Sequence, residues 1–221
     1  APTTQCILLA PFIKPCKNRD TDCVLQSSKA AFPVLVVGVP ELGVKSLDPM
    51  KLSLVTSDEG GLKITFTNST LTGLKNCVLD GVNDLDKMKQ TVNLKCSVLL
   101  KGNYKLSGQL LILPVQGEGK YKIDIMVVDI MAKTGVDGKQ HWHINKWNHS
   151  YQVKTSVRFM FDNLFNGNNA LAAPVTEFAN SNWKEVMQEI APPIIRAIMS
   201  EGIASLEAFY AAVPSEELFI P

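Results

Sequence analysis

The side chains best able to form covalent links or grip a soft metal in this 221-residue sequence are five cysteines (Cys6, Cys16, Cys23, Cys77, Cys96) and three histidines (His141, His143, His149). An odd number of cysteines cannot all pair within one chain, so spacing has to decide. Cys16 and Cys23 enclose the polar run Lys17 to Asp22, which cannot bury itself, and a small surface loop closed by a disulfide is expected there. Zinc is the weaker reading of that pair, because no further cysteine or histidine lies near it. Cys96 falls on the apolar side of an alternating stretch with Val92, Leu94, Val98 and Leu100, where a small buried thiol is expected rather than a reactive one. Spacing assigns no partner to Cys6 or Cys77. His141 and His143 could share a strand face as a metal pair, with His149 nearby. They stand beside Trp142 and Trp147 in an expected hairpin, with no carboxylate or thiolate at ligand spacing, and read as surface polar residues. No metal site is expected.

Catalytic motifs are missing in the same way. The sequence has no G-x-S-x-G elbow and no H-E-x-x-H, and Gly117-Glu118-Gly119-Lys120 lacks both the spacing and the Ser/Thr of a phosphate loop. A lipid-ester hydrolase would need a nucleophile with its base, and none is visible. Neither catalytic residues nor a cofactor are expected. Asn68-Ser69-Thr70 and Asn148-His149-Ser150 are glycosylation sequons, meaningful in an exported protein. Lys+Arg 22 against Asp+Glu 21, without a run of like charge, argues against a nucleic-acid partner. No apolar run approaches the roughly eighteen residues of a membrane span. The opening Ala1-Pro2-Thr3-Thr4 suits a mature form whose signal peptide has been removed, so secretion is expected.

Elements must position whatever the chain binds, and the strongest periodicity lies near its end. From Asn180 to Pro214 the apolar residues Trp183, Val186, Met187, Ile190, Ile194, Ile198, Ile203, Leu206 and Tyr210 keep steps of three and four. The spacing predicts one helix over 180–214, started by Asn182 with Glu185 as a partial capping box and kinked near Ala191 by Pro192 and Pro193. A shorter helix is expected from Val24 to Leu35, capped by Asp20 or Asp22 and ended by Gly38. Between them the period changes to two. Leu62, Ile64 and Phe66 alternate with polar residues, as do Val92 to Leu100 and Tyr151 to Asp162. Gln109 to Val115 and Lys122 to Met131 carry apolar residues on both sides and are expected to be covered twice. Gly117-Glu118-Gly119 and Gly135 to Gly138 read as turns joining these strands. A short helix, a meander of strands and a long closing helix make an α+β fold, expected as one domain over residues 1–221.

Pro11-Phe12-Ile13-Lys14-Pro15-Cys16, then Cys23, Gly38-Val39-Pro40-Glu41-Leu42-Gly43-Val44 and Leu47-Asp48-Pro49-Met50 form one set of marks. Phe161 to Gly167 and Asn180-Ser181-Asn182-Trp183-Lys184-Glu185 form a second. In order and spacing the chain resembles, over nearly all its length, the insect takeout and juvenile-hormone-binding protein family. The resemblance implies a secreted lipid carrier in which a strongly curved antiparallel sheet wraps the long C-terminal helix around an apolar tunnel, with a disulfide on Cys16 and Cys23. The haemolymph hormone carriers of that family have a second disulfide reaching the C-terminal helix, and no cysteine follows Cys96 here. The chain therefore resembles takeout proteins more than the hormone carriers.

The expected ligand is an elongated apolar molecule, terpenoid or fatty-acyl, held non-covalently by a monomer. The walls expected to enclose it are Val153, Val157, Phe159 and Phe161 of the last strand, Ile123, Ile125 and Val127 of its neighbour, and Met187, Ile190, Ile194 and Ile198 of the helix. The alternative is a secreted interaction protein with a vestigial cavity that docks a receptor through loops such as Glu41 to Asp48.

Overall fold

A computed structural model of the chain describes residues 9–17, 20–83 and 89–220, so Cys6 lies outside the described residues. Strand β1 (Cys16–Lys17) and helix α1 (Thr21–Val37) come first. Strands β2 (Met50–Glu59), β3 (Leu62–Thr72), β4 (Val78–Asn83), β5 (Lys89–Leu110), β6 (Leu113–Asp137), β7 (His143–Val153) and β8 (Val157–Phe161) follow. Helices α2 (Asn169–Ser181), α3 (Trp183–Ala212) and α4 (Ser215–Leu218) and strand β9 (Phe219–Ile220) close the chain.

Antiparallel pairing runs β2-β3-β5-β6-β7, and the 22-residue β5 and 25-residue β6 stay paired along almost their whole length. Each is long enough to serve two partners. β4 lies on the first half of β5 and β3 on the second, while β8 lies on the first half of β6 and β7 on the second. Among the described residues the sheet does not close into a barrel. Helix α3 nevertheless lies against both outer strands, β2 and β7, so the sheet has to curve round it.

Helix α3 holds 30 residues and continues through Pro192 and Pro193. It starts at Trp183, because Asn182 ends the preceding α2, where its amide nitrogen donates to the Phe178 carbonyl at 2.8 Å. The expected capping box is therefore replaced by a helix–helix junction. Asn168 caps α2, accepting from the Ala170 amide at 3.1 Å, and the helix continues through Pro174. Helix α1 starts as expected, with Asp20 accepting from the Cys23 amide at 3.0 Å, and ends at Gly38, whose φ of 99° is open to glycine.

Four strand and turn expectations are corrected. The β5–β6 hairpin turns at Leu111 and Ile112, the latter 76 % exposed, so the apolar run Leu110 to Leu113 is a turn rather than a doubly covered strand. Gly117 and Gly119 stand inside β6, where a Cβ would come within 2.8 Å of the Tyr104 hydroxyl and 2.6 Å of the Asp162 carbonyl respectively. They are small because the chain after β8 crosses there, not because the strand turns.

Ile125 to Val128 is likewise no doubly covered run. Cys96 pairs with Val128 and Val98 with Ile125, so β6 has a bulge at Met126–Val127. The bulge moves the inward face from Ile123 and Ile125 to Val128 and Ile130 and leaves Met126 56 % exposed. Opposite it, the single expected strand 151–162 breaks. Strand β7 ends at Val153 and β8 restarts at Val157, with Lys154, Thr155 and Ser156 exposed between them.

Cys96 is not a free thiol. Strand β4 folds back on β5 with Val78 opposite Lys95, which brings the preceding Cys77 to Cys96, and the two form a disulfide with Cα atoms 4.4 Å apart. Cys16 and Cys23 form the other.

Candidate functional site

The apolar stripe of α3 meets two different environments. Along its first half, Val186, Met187, Ile190, Ala191, Ile194 and Ile195 are each at most 5 % exposed, packed against Ile64, Ile123, Val157 and Phe159 in one continuous core. What remains there is a void of about 20 Å³, bordered by Phe159, Phe161 and Ile190 among others. Along its second half, Ile198, Met199, Ile203 and Leu206 are only partly buried, because they face a cavity of about 300 Å³.

Many segments of chain build that cavity with α3. Helix α1 contributes Ala31, Phe32 and Leu35; β4 contributes Leu79 and Val82; the start of β5 adds Val92 and Leu94; the end of β6 adds Ile130 and Ala132. Trp142 and the C-terminal Leu218 and Phe219 complete the wall. Trp142 makes an edge contact with Tyr210, ring centroids 5.4 Å apart, and lies 5.1 Å from Phe219.

Covalent and hydrogen-bonded ties hold these parts in place. The Cys16–Cys23 disulfide joins β1 to α1, and the Ser27 hydroxyl both accepts from the Lys14 amide and donates to the Lys14 carbonyl, each at 2.9 Å. β1 pairs in parallel with β9, so the N-terminal cover is locked to the C-terminus. The Cys77–Cys96 disulfide fixes β4 on β5 beside the same cavity. Glu207 of α3 accepts from the Ile144 amide at 2.6 Å and pairs with His143 Nδ1 at 2.9 Å, joining the helix to β7.

Of the residues expected to surround a ligand, Ile198 lines the larger cavity. Val157, Phe159, Ile123, Ile125, Met187, Ile190 and Ile194 are buried in the packed core, Val153 and Phe161 are half-buried at its margin, and Val127 is half-buried in the β6 bulge. The open space lies about two turns further along the helix stripe than most of the residues expected to line it. His149 stacks on Trp147 at 5.8 Å on the outer strand β7, and His143 is engaged with Glu207. In the loop from Glu41 to Asp48, Leu42 and Val44 are buried, and the Asp48 carboxylate accepts from the Gly73 and Lys75 amides at 3.2 and 2.8 Å.

The cavity wall also carries polar groups that sequence reasoning missed. Tyr210, buried, donates from its hydroxyl to Gln90 Oε1 at 2.6 Å, and Gln90 stands directly opposite Thr134 across β5 and β6. Burial above all pushes the Tyr210 phenol well above its ordinary range; the bond to Gln90 lowers it and the Glu207 charge raises it. The signal was present: Gln90 is in phase with Val92 and Leu94, and Thr134 with Ile130 and Ala132, so both belong to the inner face.

Comparison with known proteins agrees with this architecture. The family model described as haemolymph juvenile hormone binding protein (JHBP) matches residues 2–220. The crystal structure of Epiphyas postvittana takeout 1 superposes with a TM-score of 0.90 at 30% identity, covering 95% of this chain and all of that one. The circadian clock-controlled protein daywake of Drosophila melanogaster is 26% identical across 94% of this chain and 86% of its own. A putative beta-carotene-binding protein of Schistocerca gregaria is 20% identical, over 89% and 82% respectively.

Proposed function

Because the chain belongs to the haemolymph juvenile hormone binding protein family, a family of binding proteins, we propose that it carries an elongated hydrophobic molecule in the cavity beneath α1. The observation that carries this reading is the cavity itself: about 300 Å³ of mostly apolar space in a chain packed tightly everywhere else along α3. A void of that size forfeits packing energy, on the order of 7 kcal/mol at about 24 cal/mol per Å³, which approaches the whole stability of an ordinary domain. Water gains little among so few polar partners, whereas an apolar ligand restores the lost contacts. The volume lies at the lower end of small-molecule sites.

A terpenoid or acyl chain fits this demand, since each CH₂ buried contributes about 0.8 kcal/mol. Similarity to a protein named for beta-carotene binding, and to a family named for a hormone carried in haemolymph, supports the apolar class without choosing a member. Two disulfides support an oxidising, extracellular location. Among the described residues no helix is long and apolar enough to cross a membrane. Asn68 and Asn148 are exposed, and both are proposed as glycan acceptors. The test is to denature protein purified from its source, extract it with organic solvent and identify the released molecule by mass spectrometry, then refill the delipidated protein with a long-chain apolar probe. The absence of both a released lipid and any uptake of probe would overturn the carrier reading.

A further inference from the structure

An apolar cavity this size needs no polar groups to be stable, and burying them without partners is costly. Its wall nevertheless holds Gln90, Thr134 and Tyr210, brought together from β5, β6 and α3 by the Gln90–Thr134 register and the 2.6 Å bond between Tyr210 and Gln90. With the carboxamide oxygen occupied by the tyrosine proton, Gln90 has its NH₂ group to offer, a pure donor, and Thr134 has a hydroxyl that can donate or accept. The donors suit a ligand oxygen.

Charge then narrows the class. Among the described residues lining the cavity, Lys14 is the one with a charged side chain, and it is exposed. The Tyr210 phenol stays neutral through the physiological range, held so mainly by burial. Nothing on the Gln90 wall compensates a buried carboxylate, whose desolvation would cost several kcal/mol. Given the carrier reading, on which this step rests, we infer that Gln90, Thr134 and Tyr210 hold an uncharged oxygen function of the ligand, a carbonyl or hydroxyl, with its hydrocarbon part along Ile198 and Leu206. The polar trio sets orientation and selects oxygenated ligands, and the apolar walls supply the affinity.

The experiment compares three matched probes, tridecane, 2-tridecanone and tridecanoate at pH 8, by displacement of N-phenyl-1-naphthylamine from delipidated full-length protein. Tridecane and 2-tridecanone are expected to bind, and tridecanoate more weakly than the ketone. In the double variant Gln90→Leu, Tyr210→Phe the affinity for 2-tridecanone should fall roughly tenfold or more relative to tridecane, the worth of one to two buried hydrogen bonds. Tridecane should bind unchanged or more tightly, which also reports that the cavity is intact. Thr134→Val, close to isosteric, should lower ketone affinity alone by a few-fold and serves where the double variant does not fold. Equal shifts for ketone and hydrocarbon, no shift for either, or tightest binding of tridecanoate would each overturn the inference. Wild-type protein that binds tridecane but not 2-tridecanone would overturn it while leaving the carrier reading standing. Failure of every probe to bind sinks the carrier reading itself.

Discussion

The two halves of α3 have nearly the same apolar composition and opposite surroundings. In the first, Val186, Ile190 and Ile194 meet side chains from β3, β6 and β8 and are almost wholly buried. In the second, Ile198, Ile203 and Leu206 meet open space. The helix does not differ; its cover does. At the first half the sheet's inner face is filled by Phe66, Tyr104, Tyr121 and Phe159, with the Phe66 and Tyr121 ring centroids 4.6 Å apart and Tyr104 edge-on to Phe161 at 4.9 Å. At the second half the facing strands offer Leu79, Val82, Val92, Leu94, Ile130, Ala132 and Thr134, none of them aromatic, and α1 is held off by the β1–β9 pair and the Cys16–Cys23 link. Such side chains under a propped helix leave room that rings would fill.

The sharpest way to break this contrast is to place a charge on each half. Ile194→Asp puts an unpaired carboxylate into the packed core, where several kcal/mol of desolvation rivals the stability of the domain, and the protein should not fold. Ile198→Asp faces the cavity, where water can reach the carboxylate, and should keep a cooperative melt while losing apolar ligand. Equal loss of expression and thermal unfolding in both variants would show that the halves do not differ as described.

Overpacking gives a milder version. Val157→Trp enlarges a side chain that is 3 % exposed in β8, and a loss of about 1–3 kcal/mol by denaturant titration is expected, with ligand affinity changed little. An unchanged midpoint would mean that the packed half has slack.

The fold was legible in the sequence where one period governs a long stretch. The stripe from Trp183 to Tyr210 and the alternation of Leu62, Ile64 and Phe66 depend on local geometry alone, and each lies where its pattern puts it. Illegible were features set by partners distant in sequence. The phase of β6 changes at Met126–Val127 because of its pairing with Cys96 and Val98, and a bare run of apolar residues cannot reveal that change. Gly117 and Gly119 look like a turn until Leu164 and Asp162 are seen crossing them. The site suffered most. Which half of α3 stands beside a void depends on summed side-chain volumes from many distant segments, whereas its lining stripe and even Gln90 can be read from spacing once the inner face is known.

Alkaline titration probes the packed half without mutation. Burial first, and the Asp162 charge second, push Tyr104 up to about 12; burial likewise pushes Tyr121 up to about 12, against a lowering by its bond with Ser69. The folded state therefore favours the neutral phenols. Stability from these two groups is complete below the unfolded value near 10 and lost as pH rises through about 12. The melting temperature should fall across that window, and Tyr104→Phe should flatten the fall; a curve unaltered by that substitution would remove Tyr104 from the cause.

Gly202 supports the smallest test, and the one in which stability and binding should move in opposite directions. It lies inside α3 on the cavity wall, and a Cβ added there meets nothing within 4 Å. Glycine within a helix is less favourable than alanine by about 1 kcal/mol, so Gly202→Ala should raise stability by up to that amount. Nothing is displaced by one methyl, and ligand affinity should stay close to wild type. Gly202→Leu keeps most of the helical gain but sends a branched side chain into the space that the ligand's hydrocarbon part needs. It should melt no lower than wild type and bind a long apolar probe less tightly, the reverse of Val157→Trp in the packed half. Thermal melts paired with probe titrations on the two Gly202 variants decide it: a Gly202→Leu protein that binds as well as wild type would mean that the ligand lies elsewhere, and one that melts well below it would mean that this half of the helix is packed after all.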